Sequence, residues 1–363
     1  MTGLSPGATI GILGGGQLGR MLAMAAAQLG FRSHIYCPDH KFPADQVTDL
    51  VTRAAYEDKD SLEAFAASVD VITYEFENIP VETVGWLAGK VPVFPDARVL
   101  EVSQDRLQEK GFINALGIAT APYAGAGTAE EALSALEKTG YPAVLKTRRF
   151  GYDGKGQAIV RSEGEVKAAF DSLGSDKIIV EGFVNFDMEI SVLVARGRDG
   201  EVKSFLPAEN IHTNHILDVS ICPARIGQNL LDEAVALAEK IVAELNYVGV
   251  LAVELFVSPE EPRLRVNEIA PRVHNSGHWS IEACPTSQFE QHIRAICGLP
   301  LGDTRLYGQA VMKNLIGDDI LDMKHLLADP DANVHHYGKL EARPGRKMGH
   351  VTRLYPLDVK IDI

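Results

Sequence analysis

The chain is short of positive charge, of paired cysteines and of long apolar runs. Its 35 Lys and Arg face 49 Asp and Glu, for a formal charge of −14. Without a Lys/Arg block, so acidic a chain repels nucleic acid, although local basic clusters and backbone N–H groups can still hold small phosphates. The four cysteines (Cys37, Cys222, Cys284, Cys297) form no CxxC pair. That removes thiolate metal spacing and fits a reducing, cytoplasmic setting. The longest apolar run, Met21 to Ala27, falls far below the roughly 20 residues that cross a bilayer. No Lys or Arg precedes Arg20 and no apolar core fills that stretch, so a secretory leader is not expected. No G-x-x-x-x-G-K-[ST] loop and no H-R-D loop occurs, which sets aside P-loop NTPases and protein kinases.

What is present is ordinary globular composition: 363 residues, 46% hydrophobic and 23% charged, enough for two or three domains. Thr9 to Leu13 reads as a buried strand, Gly14–Gly16 as a turn, Gln17 to Leu29 as an apolar helix, and Arg32 to Tyr36 as a second strand. This is a β-α-β unit of a doubly wound parallel sheet. Gly14, Gly16 and Gly19 match G-x-G-x-x-G, and Asp39 lies where a ribose-binding acid would sit, so a nicotinamide oxidoreductase is one reading. Asp70 to Tyr74 is a further strand ending in Glu75-Phe76-Glu77-Asn78. Glu75 and Asn78 are candidates at the sheet's ligand-binding mouth, whereas Glu77 reads as a solvated loop residue. The first domain is expected to end near residue 100.

A second phosphate signal follows. Lys146 ends an apolar strand, Gly151-Tyr152-Asp153-Gly154-Lys155-Gly156-Gln157 is a glycine-rich loop, and Ala158 to Arg161 returns. Glycines let backbone N–H groups approach phosphate oxygens, and Lys146 and Lys155 add charge. In Lys177 to Val184 an apolar strand breaks at Glu181-Gly182, where backbone could read an adenine edge and Glu181 a ribose hydroxyl. Glu189 shares a strand face with Ser191 and Leu193, a costly place for an unpaired carboxylate.

The strongest chemical signal is a carboxylate pair. Gly249 to Val257 and Arg263 to Ile269 read as a hairpin carrying Glu254 and Glu268. Folded at its turn, Glu254 falls opposite Val266, with Glu268 the diagonal neighbour on the same face. Two carboxylates in apolar strands repel and are poorly solvated, and Mg²⁺ relieves both problems. Strict alternation sends Asn267 to the other face unless a bulge intervenes. Arg272, His274, Asn275, Ser276 and His278 crowd the next loop as anion or substrate donors. Five Lys/Arg between Lys339 and Arg353 suit a small phosphate, with Pro344-Gly345 as a turn.

In this order the blocks resemble the ATP-grasp enzymes, and among them the N5-carboxyaminoimidazole ribonucleotide synthetase family (the phosphoribosylaminoimidazole carboxylase ATPase subunit type). The match is carried by GGGQLGRM (Gly14–Met21), YEFENIP (Tyr74–Pro80), KTRRFGYDGKGQ (Lys146–Gln157), VEGFVNFDMEIS (Val180–Ser191), NEIAPRVHNSGHW (Asn267–Trp279) and RPGRKMGHVT (Arg343–Thr352). Val273 departs from it, where the family pattern leads one to expect Pro before the His. The resemblance implies an α/β and α+β ATP-grasp fold. Its parts are an N-terminal parallel-sheet domain (1–100), a small lobe with the glycine-rich flap (101–175) and a large lobe with a C-terminal antiparallel subdomain (176–363). It implies an ATP-dependent ligase of purine biosynthesis. ATP, bicarbonate and 5-aminoimidazole ribonucleotide would give ADP, phosphate and the N5-carboxylated ribonucleotide through carboxyphosphate, usually in a homodimer.

By the same resemblance, ATP lies against Arg106, Lys146, Gly151–Gln157, Glu181, Gly182, Phe183, Val184, Glu189, His212 and Asn267. Glu254 and Glu268 hold two Mg²⁺ (Mn²⁺ being an alternative). The ribonucleotide lies near Gln17, Leu18, Glu75, Asn78, Tyr152, Asp153, Arg272, His274, Asn275 and Ser276, with its phosphate on Lys347 and Arg353. Lys146, Asp153, Arg272 and His274 are the catalytic candidates. The competing reading within the same fold is a formate-dependent glycinamide ribonucleotide transformylase.

Overall fold

Three sheets organise the chain in a computed structural model that describes residues 3–151, 156–359 and 361. Strands β1 (Thr9–Leu13), β2 (Arg32–Tyr36), β3 (Leu50–Thr52) and β4 (Val71–Tyr74) form a parallel sheet of order β3-β2-β1-β4. Strands β1 and β4 are fully or nearly fully buried, as the uninterrupted apolar runs of a two-sided parallel sheet require. The helix Gln17–Gln28 covers one face with Leu18, Met21, Leu22 and a run of alanines.

The second sheet holds β5 (Tyr123–Ala126), β6 (Ala143–Thr147), β7 (Gln157–Val160) and β8 (Ile178–Gly182) in the antiparallel order β5-β8-β6-β7. Two amphipathic helices, Ala129–Thr139 and Glu163–Leu173, pack against it. The expected boundary at 175 falls inside this lobe. Strand β8 looks like the start of the next domain in sequence, but its backbone bonds go to β5 and β6.

The third sheet has nine strands: β9 (Met188–Arg196), β10 (Val202–Ser204), β11 (Ala208–Thr213), β12 (Ile216–Cys222), β13 (Gly249–Val257), β14 (Leu264–Ala270), β15 (Gln309–Ile316), β16 (Asn333–His336) and β17 (Lys347–Tyr355). Their order is β14-β13-β9-β11-β12-β15-β17-β16, with β10 on β9. The helix Gln228–Glu244 seals one face of the β9–β13 region, and Gln288–Cys297 packs on the other. That second helix also reaches the parallel sheet. His292, fully buried, accepts from Val250 N–H at 3.0 Å and bonds the Thr73 hydroxyl at 2.8 Å, joining β13 to β4. Burial holds its pKa down to about 3, so the joint is neutral. No helix is long and apolar enough to cross a membrane among the described residues. All four cysteines are free and buried.

Candidate active site

The G-x-G-x-x-G loop comes first, because it looked like a dinucleotide site. Glu75, at the end of β4, occupies it. Its carboxylate accepts from Gly16 N–H and, at 2.8 Å, from Gly19 N–H. These are the donors a pyrophosphate would need at the helix start. The glycines exist to admit this side chain: a Cβ on Gly16 would meet Glu75 Oε1 at 2.6 Å, and Gly14 sits at φ +107°. Burial raises the Glu75 pKa, against those two N–H groups and the nearby charges of Arg272 and Lys339. Gln17 is half-buried and Leu18 buried at the same helix start, while Asn78 is exposed.

Glu77 was expected to be a solvated loop residue, and the structure corrects this. Arg272 forks onto it, with Nη2 to Oε1 at 3.2 Å and Nε to Oε2. Burial works against the Glu77 charge, but Arg272 holds its pKa down to about 2. The fork ties the parallel sheet to the loop after β14.

The carboxylate hairpin also differs from its expected register. Glu254 pairs directly with Glu268, not diagonally, because the register shifts between Glu254 and Leu255. Leu255 then pairs with Val266, so Asn267 is the extra residue of a bulge. A hairpin folded from its turn by counting alone misses that residue. Burial, then the charges of Glu268 and Glu189, push Glu254 up to about 8. Glu268 moves the other way: burial opposes its charge, but Arg106, 2.8 Å away, and Lys146 favour it. On the neighbouring strand Glu189 rises to about 7 through burial and the charge of Glu268. His212 Nδ1 lies 3.5 Å from Glu189 Oε2. Glu254 and Glu189, whose ionisation the Glu268 charge disfavours, form with Glu268 a hard oxygen-donor set, which a divalent cation fits.

The cations come from the second sheet and the helix Arg106–Ala115. Lys146 on β6 bonds Glu181 on β8 at 2.9 Å, and Lys110 approaches the same oxygen at 3.6 Å. Burial opposes ionisation of Glu181, yet the two lysines draw its pKa down to about 2. Its other oxygen, Oε1, is buried without a partner and is therefore placed to accept from a ligand hydroxyl. Arg106 also donates to Gly151 O at 3.3 Å, at the start of the flap. Beside Glu181 and Gly182, Phe183 is exposed and Val184 half-buried. Gly156 and Gln157 resume the described chain, while Tyr152, Asp153, Gly154 and Lys155 lie outside the described residues.

The 272–278 loop closes the third side. His274 Nε2 lies 3.3 Å from Glu254 Oε1, and its Nδ1 faces Ser276 Oγ at 2.9 Å. Burial and the neighbouring charges of Arg272 and Lys347 lower its pKa to about 3, so it is a neutral imidazole. Ser276 continues through Ser191, Asn210 and Ser220 in a hydrogen-bonded row across β9, β11 and β12. Asn275 exchanges two amide bonds with Asn314, at 2.9 and 2.8 Å. Its side chain is thereby committed to the scaffold. His278 is buried against Gln288 and Phe289.

Lys347 and Arg353 are not brought together. They sit at opposite ends of β17, opposite Ile316 and Val311 respectively. Lys347 bears on Glu254 and His274. Arg353 instead grips Asp329 at 2.6 and 2.9 Å. Lys339, which counting did not single out, bears on Glu75 and donates to Lys347 O at 2.6 Å. Sequence reading also missed Glu109 and Lys110, whose only signal was their spacing from Arg106 on one helix face.

Among the described residues one further group has metal-like spacing: Glu282, His335 and His350, with donor atoms within 4.8 Å of one another. The two imidazole rings are stacked, 10° from parallel at 4.5 Å, so their in-plane lone pairs run side by side and do not converge. His335 instead bonds Glu282 at 2.6 Å.

Two antiparallel sheets, one presenting Lys146, the other a carboxylate hairpin, constitute the architecture of an ATP-grasp ligase. Family models concur: an ATP-grasp domain matches residues 111–289, a ribonucleotide synthetase preATP-grasp domain 7–104, and a phosphoribosylaminoimidazole carboxylase C-terminal domain 310–358. The N5-carboxyaminoimidazole ribonucleotide synthase of Brucella melitensis is 51% identical over 98% of both chains. That of Bacillus subtilis is 45% identical over 96% of this chain and 91% of its own. An N5-carboxyaminoimidazole ribonucleotide synthetase solved as its ADP complex superposes with TM-score 0.93 at 44% identity, covering 98% of this chain and 94% of that one. The Aspergillus clavatus synthase, solved with ADP and 5-aminoimidazole ribonucleotide, gives 0.90 at 31%, covering 97% and 94%. The chain belongs to the N5-carboxyaminoimidazole ribonucleotide synthase family.

Proposed function

We propose that this chain carboxylates the exocyclic amine of 5-aminoimidazole ribonucleotide, using ATP and bicarbonate, in purine biosynthesis. The observation that carries the reading is the direct Glu254–Glu268 pair, faced by Arg106 and Lys146 and joined through Arg272 to the Glu75–Glu77 loop. Bicarbonate is a poor electrophile because its charge is delocalised and its leaving group would be hydroxide. Phosphoryl transfer from ATP to a bicarbonate oxygen gives carboxyphosphate and ADP. The amine then attacks its carbon, or the CO₂ it releases, and phosphate leaves.

Glu254 and Glu268 would hold Mg²⁺, which supplies charge neutralisation along the phosphates. Arg106 and Lys146 would bind the nucleotide's phosphates, with Glu181 Oε1 accepting from its ribose. Arg272 would hold the bicarbonate-derived group between Glu77 and the carboxylate hairpin. Neutral His274 accepts from Ser276 N–H at Nδ1, so its Nε2–H would be the donor that orients the Glu254 carboxylate. The family resemblance gives Asp153 the role of orienting the amine, and gives Tyr152 and Lys155 that of excluding water from carboxyphosphate. Lys347 and Lys339 would take the ribonucleotide phosphate, a role supported by their charge bearing on Glu254 and Glu75. Four buried free thiols support a cytoplasmic setting, and family membership supports a homodimer, which sedimentation tests.

The deciding experiment measures ADP release from MgATP with and without aminoimidazole ribonucleotide, in bicarbonate-containing and bicarbonate-depleted buffer. Turnover that requires the ribonucleotide and rises with bicarbonate is the expected result. No response to the ribonucleotide, with glycinamide ribonucleotide and formate active instead, overturns the reading.

A further inference from the structure

Strand β14 is the edge of the large sheet, so the backbone groups on its outer side need partners from elsewhere. Val266 N–H donates to Ala119 O at 2.8 Å. Ile269 N–H donates to Glu109 Oε1 at 2.7 Å, and Lys110 Nζ donates to Asn267 O at 3.1 Å. In a regular strand, outward N–H groups recur every second residue. Here Val266 and Ile269 are three apart, because the bulge inserts Asn267. The two side chains therefore grip the backbone immediately before and immediately after Glu268. Both are almost wholly buried, Glu109 at 2% and Lys110 at 1% exposure, a costly position unless each makes its bonds. Arg106, one turn earlier on the same helix, reaches the Glu268 carboxylate itself.

A bulge is a register choice, and a slip of one residue sends a strand's side chains to the opposite face. Val266 N–H on Ala119 O anchors the strand before the bulge, and the two grips are the outer-edge bonds at the bulge itself, where the register that aims Glu268 at Glu254 parts from the one that aims Asn267 there. Lys110 also stands 3.6 Å from Glu181, so the same helix joins the carboxylate hairpin to the lobe carrying Lys146.

We propose that Glu109 and Lys110 are positioning residues that lock the β14 bulge and so set the geometry with which Glu268 meets a divalent cation. This rests on the reading of Glu268 as a metal ligand. The role asks neither side chain to touch substrate or metal. They act on the backbone of a residue that does, as outer partners of metal ligands do elsewhere, where their loss costs about 10–100-fold in metal affinity or activity.

The test uses the whole chain with a non-hydrolysable ATP analogue and Mn²⁺, counting free Mn²⁺ by electron paramagnetic resonance. Glu109→Leu keeps the volume and removes the acceptor, and Glu109→Gln restores an acceptor at the same reach. We expect Glu109→Leu to weaken Mn²⁺ binding about 10–100-fold and Glu109→Gln to recover most of it. Lys110→Met should weaken Mn²⁺ in the same direction. A Glu109→Leu protein that melts earlier yet binds Mn²⁺ as tightly as the parent overturns the proposal and leaves a structural role. Should that variant not fold, Glu109→Asp keeps the charge and withdraws the oxygen by one methylene, and unchanged Mn²⁺ affinity there is equally decisive against it. Glu268→Gln is the separate control. Full Mn²⁺ affinity in that variant would remove the metal reading itself, whatever the helix variants do.

Discussion

Replacing Glu268 with Gln should do two separable things. The substitution keeps volume and an acceptor for Arg106, so the protein should fold. It removes one of two carboxylates directly opposed across β13 and β14. The Cβ atoms of residues so placed lie about 5 Å apart, which sets the scale for their charges. At an effective dielectric constant of about 20, two unit charges at that distance repel by about 3 kcal/mol, or about two pKa units. The Glu254 carboxyl, pushed up to about 8 by burial first and then by Glu268, should therefore titrate near pH 6 in the variant. The sign follows from linkage. With a raised folded pKa, the native state holds a proton that the unfolded chain has already lost above its own value. This contribution to stability is complete at low pH and declines as pH rises from about 5 to about 8. Chemical denaturation of metal-free protein, in chelator, should show that decline ending about two pH units earlier in Glu268→Gln. Turnover with MgATP should fall by at least about a hundredfold, the scale set by loss of one preorganised charge-stabilising group. Parental turnover with unchanged Mg²⁺ dependence would refute the metal assignment. An unshifted pH profile would refute the electrostatic coupling.

Lys347→Ala should raise the KM for the ribonucleotide by about tenfold or more with little change in kcat, the signature of a lost charge-assisted phosphate contact. Arg353→Ala should leave that KM near its parental value, because its guanidinium is committed to Asp329; steady-state kinetics of the pair tests both, and equal effects would place the phosphate differently. Arg272→Lys should lower kcat by about tenfold or more, since an ammonium cannot reproduce the fork onto Glu77; parental kinetics would show that the fork is dispensable. NADH should show no saturable binding in a fluorescence titration, because Glu75 fills the glycine loop; clear affinity would revive a dinucleotide site.

Much of this site was legible because its chemistry is local. Lys146 at a strand end, glycines at 151, 154 and 156, and two glutamates inside apolar strands stand out within short windows as a cation, a glycine-rich loop and an acidic pair. The N-terminal β-α-β unit was equally plain, but its function was not. The glycine spacing describes a loop that brings N–H groups together and is silent on which anion they receive. Glu75 sits 56 residues beyond Gly19, and that separation is closed only when β4 pairs with β1. Glu77 was misread for the same reason, its partner Arg272 being 195 residues away.

Periodicity, turn residues and strand-borne charges in the sequence marked the N-terminal β-α-β unit, the glycine-rich loop and the carboxylate hairpin, because these are properties of short segments, and the ordered motifs carried the resemblance that implied the ATP-grasp fold and its lobes. Tertiary structure alone decided which charges meet. It placed β8 in the flap-bearing sheet, inserted Asn267 as a bulge so that Glu254 faces Glu268, and separated Lys347 from Arg353 along one strand. It also turned Glu109 and Lys110 from an ordinary charged helix face into a buried grip on an edge strand. Each of these depends on long-range hydrogen-bond register, which no local pattern encodes and which a shift of one residue reverses.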